Sequence, residues 1–234
     1  MQKSYIAFDI ETTGLNPQEH EILEIGALKV REGKVAERFI EFIKPEFGIP
    51  AEITGLTGIR EEMVEGARSC QEVLSDFVKF CQEDILIGHN VQFDFNFIWN
   101  HAHKNGYMFE HQGIDTLKIA KAVHPSMPSK RLGALCEHYQ IQNHSAHRAY
   151  HDALATAKLY QTLAHYYEEK MPSVFAPEPL KCSATVSFPA TEKQLSLLKR
   201  LVKQKGLDIE LDKKKLTKNE ASQMIERILS GNLG

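Results

Sequence analysis

Residues 8–14 read FDIETTG, directly after the apolar Tyr5, Ile6 and Ala7. Side chains two apart on a β-strand point to the same face, so Asp9 and Glu11 lie side by side. A strand that opens as a core element and then sets two carboxylates together carries a cost. Both acids are desolvated and repel one another unless something positive sits between them. The pair therefore asks for partners elsewhere in the chain.

Outward from this stretch, residues 4–10, 21–30 and 35–43 read as three strands, the last two joined by the short turn REGK as in a hairpin. Residues 53–59 (ITGLTGI) read as a loop. Ser69 opens a helix with Glu72 as its capping-box partner, and Val73, Leu74, Phe77, Val78 and Cys81 form the apolar stripe. ILIGHN (85–90) reads as a short buried strand running into a helix near 92–105. GIDTLKIAKAV (113–123) reads as a strand end and a helix, RLGALCEHYQI as a helix, and the segment from Ala149 as a long one. Antiparallel strands followed by strand–helix alternation predict an α/β fold, a mixed sheet flanked by helices.

Residues 171–190 hold four prolines and read as a linker. Behind them, TEKQ and TKNE are capping boxes for helices near 192–205 and 218–229. The expected organisation is a main domain over 1–170, a Pro-rich linker over 171–190 and a small basic helical module over 191–234. The whole chain carries a net charge of −3, the last 44 residues carry +4, and −7 is left for residues 1–190. A basic tail is compatible with nucleic-acid contact, although a Lys-rich helix face is most often a solvated face. Leu195, Leu198, Val202, Ile225 and Leu229 supply apolar faces for mutual packing or for a protein partner. The four cysteines lack CxxC spacing, which argues against a zinc site and a disulfide scaffold and fits a reduced cytoplasm. MQKSYIAFDIE has no hydrophobic segment with a cleavage site, and no apolar run approaches 18 residues, so membrane insertion is not expected.

Two further acids stand in suggestive contexts. GHNVQFDFNF places Asp94 on the first turn of a helix behind a buried strand, and HRAYHD places Asp152 at the start of the long helix. Strand ends and helix starts are where α/β folds gather functional groups. Four convergent carboxylates need cations, and hard oxygen donors suit Mg²⁺ or Mn²⁺. Two such ions about 3.5–4 Å apart form a clamp for in-line displacement at phosphorus. The attacking water must lose a proton, and His147, five residues before Asp152, is the candidate acceptor. His144 and His151 crowd the same segment, and His89 reads as structural.

Together, FDIETTG, HNVQFDF and HRAYHD resemble the three motifs of the DEDDh family, the DnaQ-like 3′–5′ exonucleases with an RNase H-like fold. That group includes the proofreading epsilon subunit of bacterial DNA polymerase III. The resemblance covers about residues 1–168. It implies Asp9, Glu11, Asp94 and Asp152 as metal ligands for two Mg²⁺ or Mn²⁺ ions and His147 as general base. Arg148 stands where the tyrosine variant of the family would need Tyr, which indicates the histidine branch. IPAEITGLTGIREEMV is similar to the family's substrate loop, which implies Leu56 and Thr57 at the terminal nucleoside. Thr12 and Thr13 would lie beside the 3′ end, and Asn90 and Phe93 would line the groove, Phe93 by stacking.

The expected activity is release of nucleoside 5′-monophosphates from single-stranded or frayed 3′ ends, with DNA favoured, in proofreading or repair. A DNA polymerase is a further partner that the resemblance allows. An RNA-trimming exoribonuclease of the same family is the alternative. A non-catalytic module that binds nucleic acid or a polymerase is the alternative of another class, and the intact set of five residues argues against it.

Overall fold

The computed structural model describes residues 1–143, 147–182 and 190–207, together with 216, 221, 222, 224, 225 and 228. The chain divides into two compact units, 1–182 and 183–234.

In the first unit β1 (Tyr5–Thr12), β2 (Ile22–Arg31) and β3 (Lys34–Phe42) form an antiparallel meander. The β2–β3 turn consists of Glu32 and Gly33, at φ 50° and 77°, as a two-residue hairpin turn with the right twist requires. β4 (Leu86–Gly88) pairs parallel to β1, β5 (Gln112–Asp115) parallel to β4, and β6 (Glu178–Pro179) antiparallel to β5. The six-stranded order is β3-β2-β1-β4-β5-β6, the expected mixed sheet.

Among the described residues, seven helices accompany the sheet: α1 (Ala51–Thr57), α2 (Glu61–Val64), α3 (Cys70–Cys81), α4 (Val91–Lys104), α5 (Thr116–Val123), α6 (Leu132–His138) and α7 (Ala149–Tyr167). The Ser69–Glu72 capping box that starts α3 is formed in both directions. β1 divides the core by its alternation. Ile6, Phe8 and Ile10 pack with Val73, Leu74 and Phe77 of α3 and Phe95 and Ile98 of α4. Tyr5 and Ala7 pack with Ala153, Ala157, Leu159 and Tyr160 of α7. Asp9 and Glu11 continue the stripe of Tyr5 and Ala7, so one face of β1 is apolar at its start and acidic at its end. α7 lies close on the sheet because Gly26 of β2 leaves room: a Cβ there would come 2.0 Å from the Tyr150 backbone nitrogen.

Two expectations are corrected. The loop expected at 53–59 is largely helix α1, closed by Gly58 at φ 72°. The second TG pair of this segment marks its end, because glycine in the left-handed conformation terminates a helix. Residues 171–182, expected as part of a linker, belong to the first unit. Pro172 starts a 3₁₀ turn whose Phe175 is buried, Pro179 pairs at the sheet edge, and Leu180 donates its N–H to the His111 carbonyl (2.8 Å). Helix starts and edge strands tolerate a missing N–H, so proline density does not imply a linker here.

In the second unit α8 (Glu192–Lys205) carries the expected Thr191–Gln194 capping box and ends at Gly206, φ 64°. Leu198, Leu201 and Ile228 form its core, with Val202 and Ile225 packed against them. The TKNE box and Leu229 lie outside the described residues. Cys70, Cys81 and Cys136 are free thiols, and among the described residues no helix is long and apolar enough to cross a membrane.

Candidate active site

Asp9, Glu11, Asp94, His147 and Asp152 converge on one cleft of about 860 Å³. Each arrives from a different local cause. Asp9 and Glu11 stand at the C-terminal end of β1. Asp94 lies on the first turn of α4, which starts two residues beyond β4, the parallel neighbour of β1. Its Oδ1 accepts the N–H of Ile10 (3.1 Å), the amide between the two β1 acids. Asp152 is on the first turn of α7, and a carboxylate is favoured there by the helix dipole. Asn143 Nδ2 donates to Asp152 Oδ1 (2.7 Å), and the His147 N–H donates to Asp152 Oδ2 (2.8 Å). One donor atom each from Glu11, His147 and Asp152 lie within 4.8 Å of one another.

The electrostatics match this crowding. Burial, then the charges of Asp94, Glu11 and Asp152, hold the Asp9 carboxyl well above its ordinary range. Burial, then Asp152 and Glu24, pushes Glu11 up to about 8. Burial pushes Asp94 up to about 8 against the lowering effect of the Ile10 hydrogen bond. These oxygens are held together at a cost that bound cations would remove, and an all-carboxylate set with one imidazole beside it fits hard divalent ions.

Lys121, Lys130 and Arg131 also line the cleft and give it a basic wall. Lys130 Nζ is engaged by the carbonyls of Pro125 (3.2 Å) and Met127 (2.6 Å), whereas Lys121 and Arg131 are exposed. His89 ties this wall to the sheet. Its Nδ1 lies 2.9 Å from Thr116 Oγ1 and its Nε2 donates to the Lys130 carbonyl (2.8 Å). His151 sits on α7 against the Tyr150 ring, and His144 lies outside the described residues.

Of the six residues expected at the substrate, Phe93 lines the cleft, against Phe97. Asn90 is exposed at φ 72° and its N–H donates to Asp115 Oδ1 (2.9 Å). Thr12 Oγ1 donates to the Gly14 carbonyl (2.6 Å). The Thr13 N–H donates to the Glu21 carbonyl, and its hydroxyl accepts the Glu21 N–H, so that amide is committed within the fold. Leu56 is 57% exposed on α1, and the buried Thr57 donates its hydroxyl to the Ile53 carbonyl.

Sequence reasoning missed Glu24. It is 1% exposed and faces Glu11 across the β1–β2 register. Its carboxylate accepts Arg148 Nε (3.1 Å), Arg148 Nη2 (3.0 Å) and the Ala149 N–H (3.3 Å). A lone acid inside the apolar run of β2 was the available signal. The basic wall carried none, because surface lysines and arginines are common everywhere.

The chain resembles characterised proteins in both sequence and fold. A family model described as an exonuclease, RNase T, matches residues 6–160, a span that holds all five cleft residues. The DNA polymerase III PolC-type of Caldanaerobacter subterraneus is 36% identical over 169 residues, 72% of this chain and 12% of the polymerase. That of Latilactobacillus sakei is 40% identical over 156 residues, 66% of this chain and 11% of the polymerase. The chain thus spans about a tenth of the length of these relatives. Among solved structures, E. coli exonuclease I in complex with a dA16 oligonucleotide superposes with a TM-score of 0.63 at 21% identity, over 74% of this chain and 42% of that one. Exonuclease X in complex with 5′-overhanging duplex DNA gives 0.57 at 21% identity, over 73% and 98%. These likenesses show the RNase H-like exonuclease fold. With the acid motifs gathered in that fold, the chain belongs to the RNase T exonuclease family, in its DnaQ-like, DEDDh branch.

Proposed function

We propose that this chain is a divalent-metal-dependent 3′–5′ exonuclease that removes nucleoside 5′-monophosphates from single-stranded or frayed DNA ends. One observation carries the reading. Three of the four cleft carboxyls are held above their ordinary range by burial, with repulsion from the neighbouring cleft acids adding to it for Asp9 and Glu11, in a cleft that Lys121, Lys130 and Arg131 also line. Asp9, Glu11, Asp94 and Asp152 would hold two Mg²⁺ or Mn²⁺ ions. When bound, such ions neutralise the charge that builds on the attacking and leaving oxygens of a phosphodiester.

The chain's own groups supply the rest. His147, beside Asp152, accepts the proton of the attacking water, since imidazole exchanges protons near neutral pH. Phe93 offers a face for stacking of a terminal base. Lys121 and Arg131 bind the phosphates of the strand entering the cleft. Leu56, exposed on α1, is an apolar contact for the terminal nucleoside, with Thr57 fixing the end of that helix. Thr12, Thr13 and Asn90 shape the backbone around the 3′ end. DNA is favoured by the likeness to the PolC-type polymerases, and a polymerase partner follows from the same likeness.

The test is degradation of 5′-labelled DNA and RNA oligonucleotides with Mn²⁺ or Mg²⁺, against Asp9→Asn as control. Stepwise shortening from the 3′ end with release of 5′-monophosphates is expected. Shortening from the 5′ end, or equal activity of wild type and Asp9→Asn, would overturn the proposal. A tenfold or greater preference for RNA would replace the substrate class with RNA.

A further inference from the structure

We propose that Glu24 and Arg148 are positioning residues that set the direction of His147. The inference rests on the reading of His147 as the proton acceptor. His147 is exposed and has φ 64°, a left-handed conformation uncommon outside glycine, which histidine adopts more readily than most residues. Packing does not fix an exposed ring, so its aim follows from its backbone. That backbone is held at two points. On one side the His147 N–H donates to Asp152 Oδ2 (2.8 Å).

On the other side the next residue, Arg148, is clamped. Its Nε and Nη2 donate to the two oxygens of Glu24 (3.1 and 3.0 Å), a fork-to-fork pair that fixes orientation as well as distance. The Arg148 guanidinium also lies over the Phe42 ring, 5.2 Å from its centroid. Glu24 accepts the Ala149 N–H as well (3.3 Å), so one buried carboxylate of β2 grips the residue after His147 and the first residue of α7. Gly26, two residues on, lets the α7 backbone rest on the same strand. The histidine is thereby built onto the sheet that carries Asp9 and Glu11, and the distance between base and acids is set by the sheet rather than by a loop.

A salt bridge that merely joined β2 to α7 would contribute to stability and leave turnover to His147 alone. The two roles separate in a double-mutant cycle. Glu24→Gln with Arg148→Gln removes the charged fork without leaving a buried charge unpaired. With Mn²⁺ and a labelled single-stranded oligonucleotide, this pair is expected to lower kcat roughly 30-fold while KM stays within about twofold, as misplacement of a reacting group does. In a His147→Ala background the same pair is expected to cost less than about twofold more. Arg148→Lys keeps the charge and loses the fork, and is expected to stay roughly fivefold or more below wild type.

A rise of melting temperature with Mn²⁺ equal to that of wild type checks that the metal site survives in each variant. Equal losses in the wild-type and His147→Ala backgrounds would overturn the clamp, as would full activity of Arg148→Lys. A His147→Ala variant with nearly wild-type turnover would instead overturn the reading of His147 itself.

Discussion

Glu11 and Glu24 stand opposite one another on adjacent strands, β1 and β2, and differ in their partners. Glu24 has a protein cation: both its oxygens are occupied by the Arg148 fork. Among its described neighbours Glu11 has carboxylates and an imidazole, and burial with the charges of Asp152 and Glu24 pushes it up to about 8. Arg148 lowers that value only as the smallest of the contributions. A buried carboxylate with a built-in counter-ion needs no outside cation, whereas one left among other acids would be stabilised by one. Removing the charge of Glu11 and removing the counter-ion of Glu24 should therefore change stability in opposite directions.

The largest expected effect is on turnover. Glu11→Gln should lower metal-dependent cleavage by roughly a thousandfold, while the metal-free melting temperature holds or rises, because a repelling charge has gone. Cleavage within tenfold of wild type would remove Glu11 from the site. Arg148→Gln should do the reverse to stability. Glu24 is then left buried and unpaired, at a cost of about 3 kcal/mol, the low end for such pairs because the guanidinium is partly exposed. Chemical denaturation measures this, and an unchanged midpoint would mean that Glu24 is not held as a charge.

pH sharpens the contrast. A carboxyl whose folded value is raised binds more protons folded than unfolded between the two values, so stability falls as pH rises across that window. For Glu11 the window runs from 4.5 to about 8. Metal-free protein should lose melting temperature between those limits, and Mn²⁺ should restore it most at the upper end. A flat profile without metal would show that the acids are already compensated. The smallest effect concerns the other wall. Lys121→Ala with Arg131→Ala should make the salt dependence of single-stranded DNA binding shallower by about 1.4 in log–log slope, two phosphate contacts' worth. Filter binding in Ca²⁺ measures it, and an unchanged slope would move the strand off this wall.

The acids and the order of the elements were legible because they follow from contiguous chain. Period-two alternation gave β1 its two stripes, and the Ser69 and Thr191 capping boxes are complete within four residues. Where local reading misled, a residue's tertiary surroundings overrode its reputation. The glycine of the first TG pair lies within α1 and that of the second closes it, and Pro172 and Pro179 sit at a helix start and on an edge strand, where a missing N–H is tolerated.

The sequence by itself therefore determined which side chains could hold hard cations, their chain order and the helices and strands that present them. Only the tertiary structure decided that Glu24 meets Arg148 across 124 residues, that Lys121 and Arg131 line the same cleft as the acids, and that the first unit runs to Cys182. The physical reason is range. Alternation, caps and turns act between near neighbours in the chain, whereas the pairing of a buried charge is settled by what the folded sheet brings within about 3 Å of it.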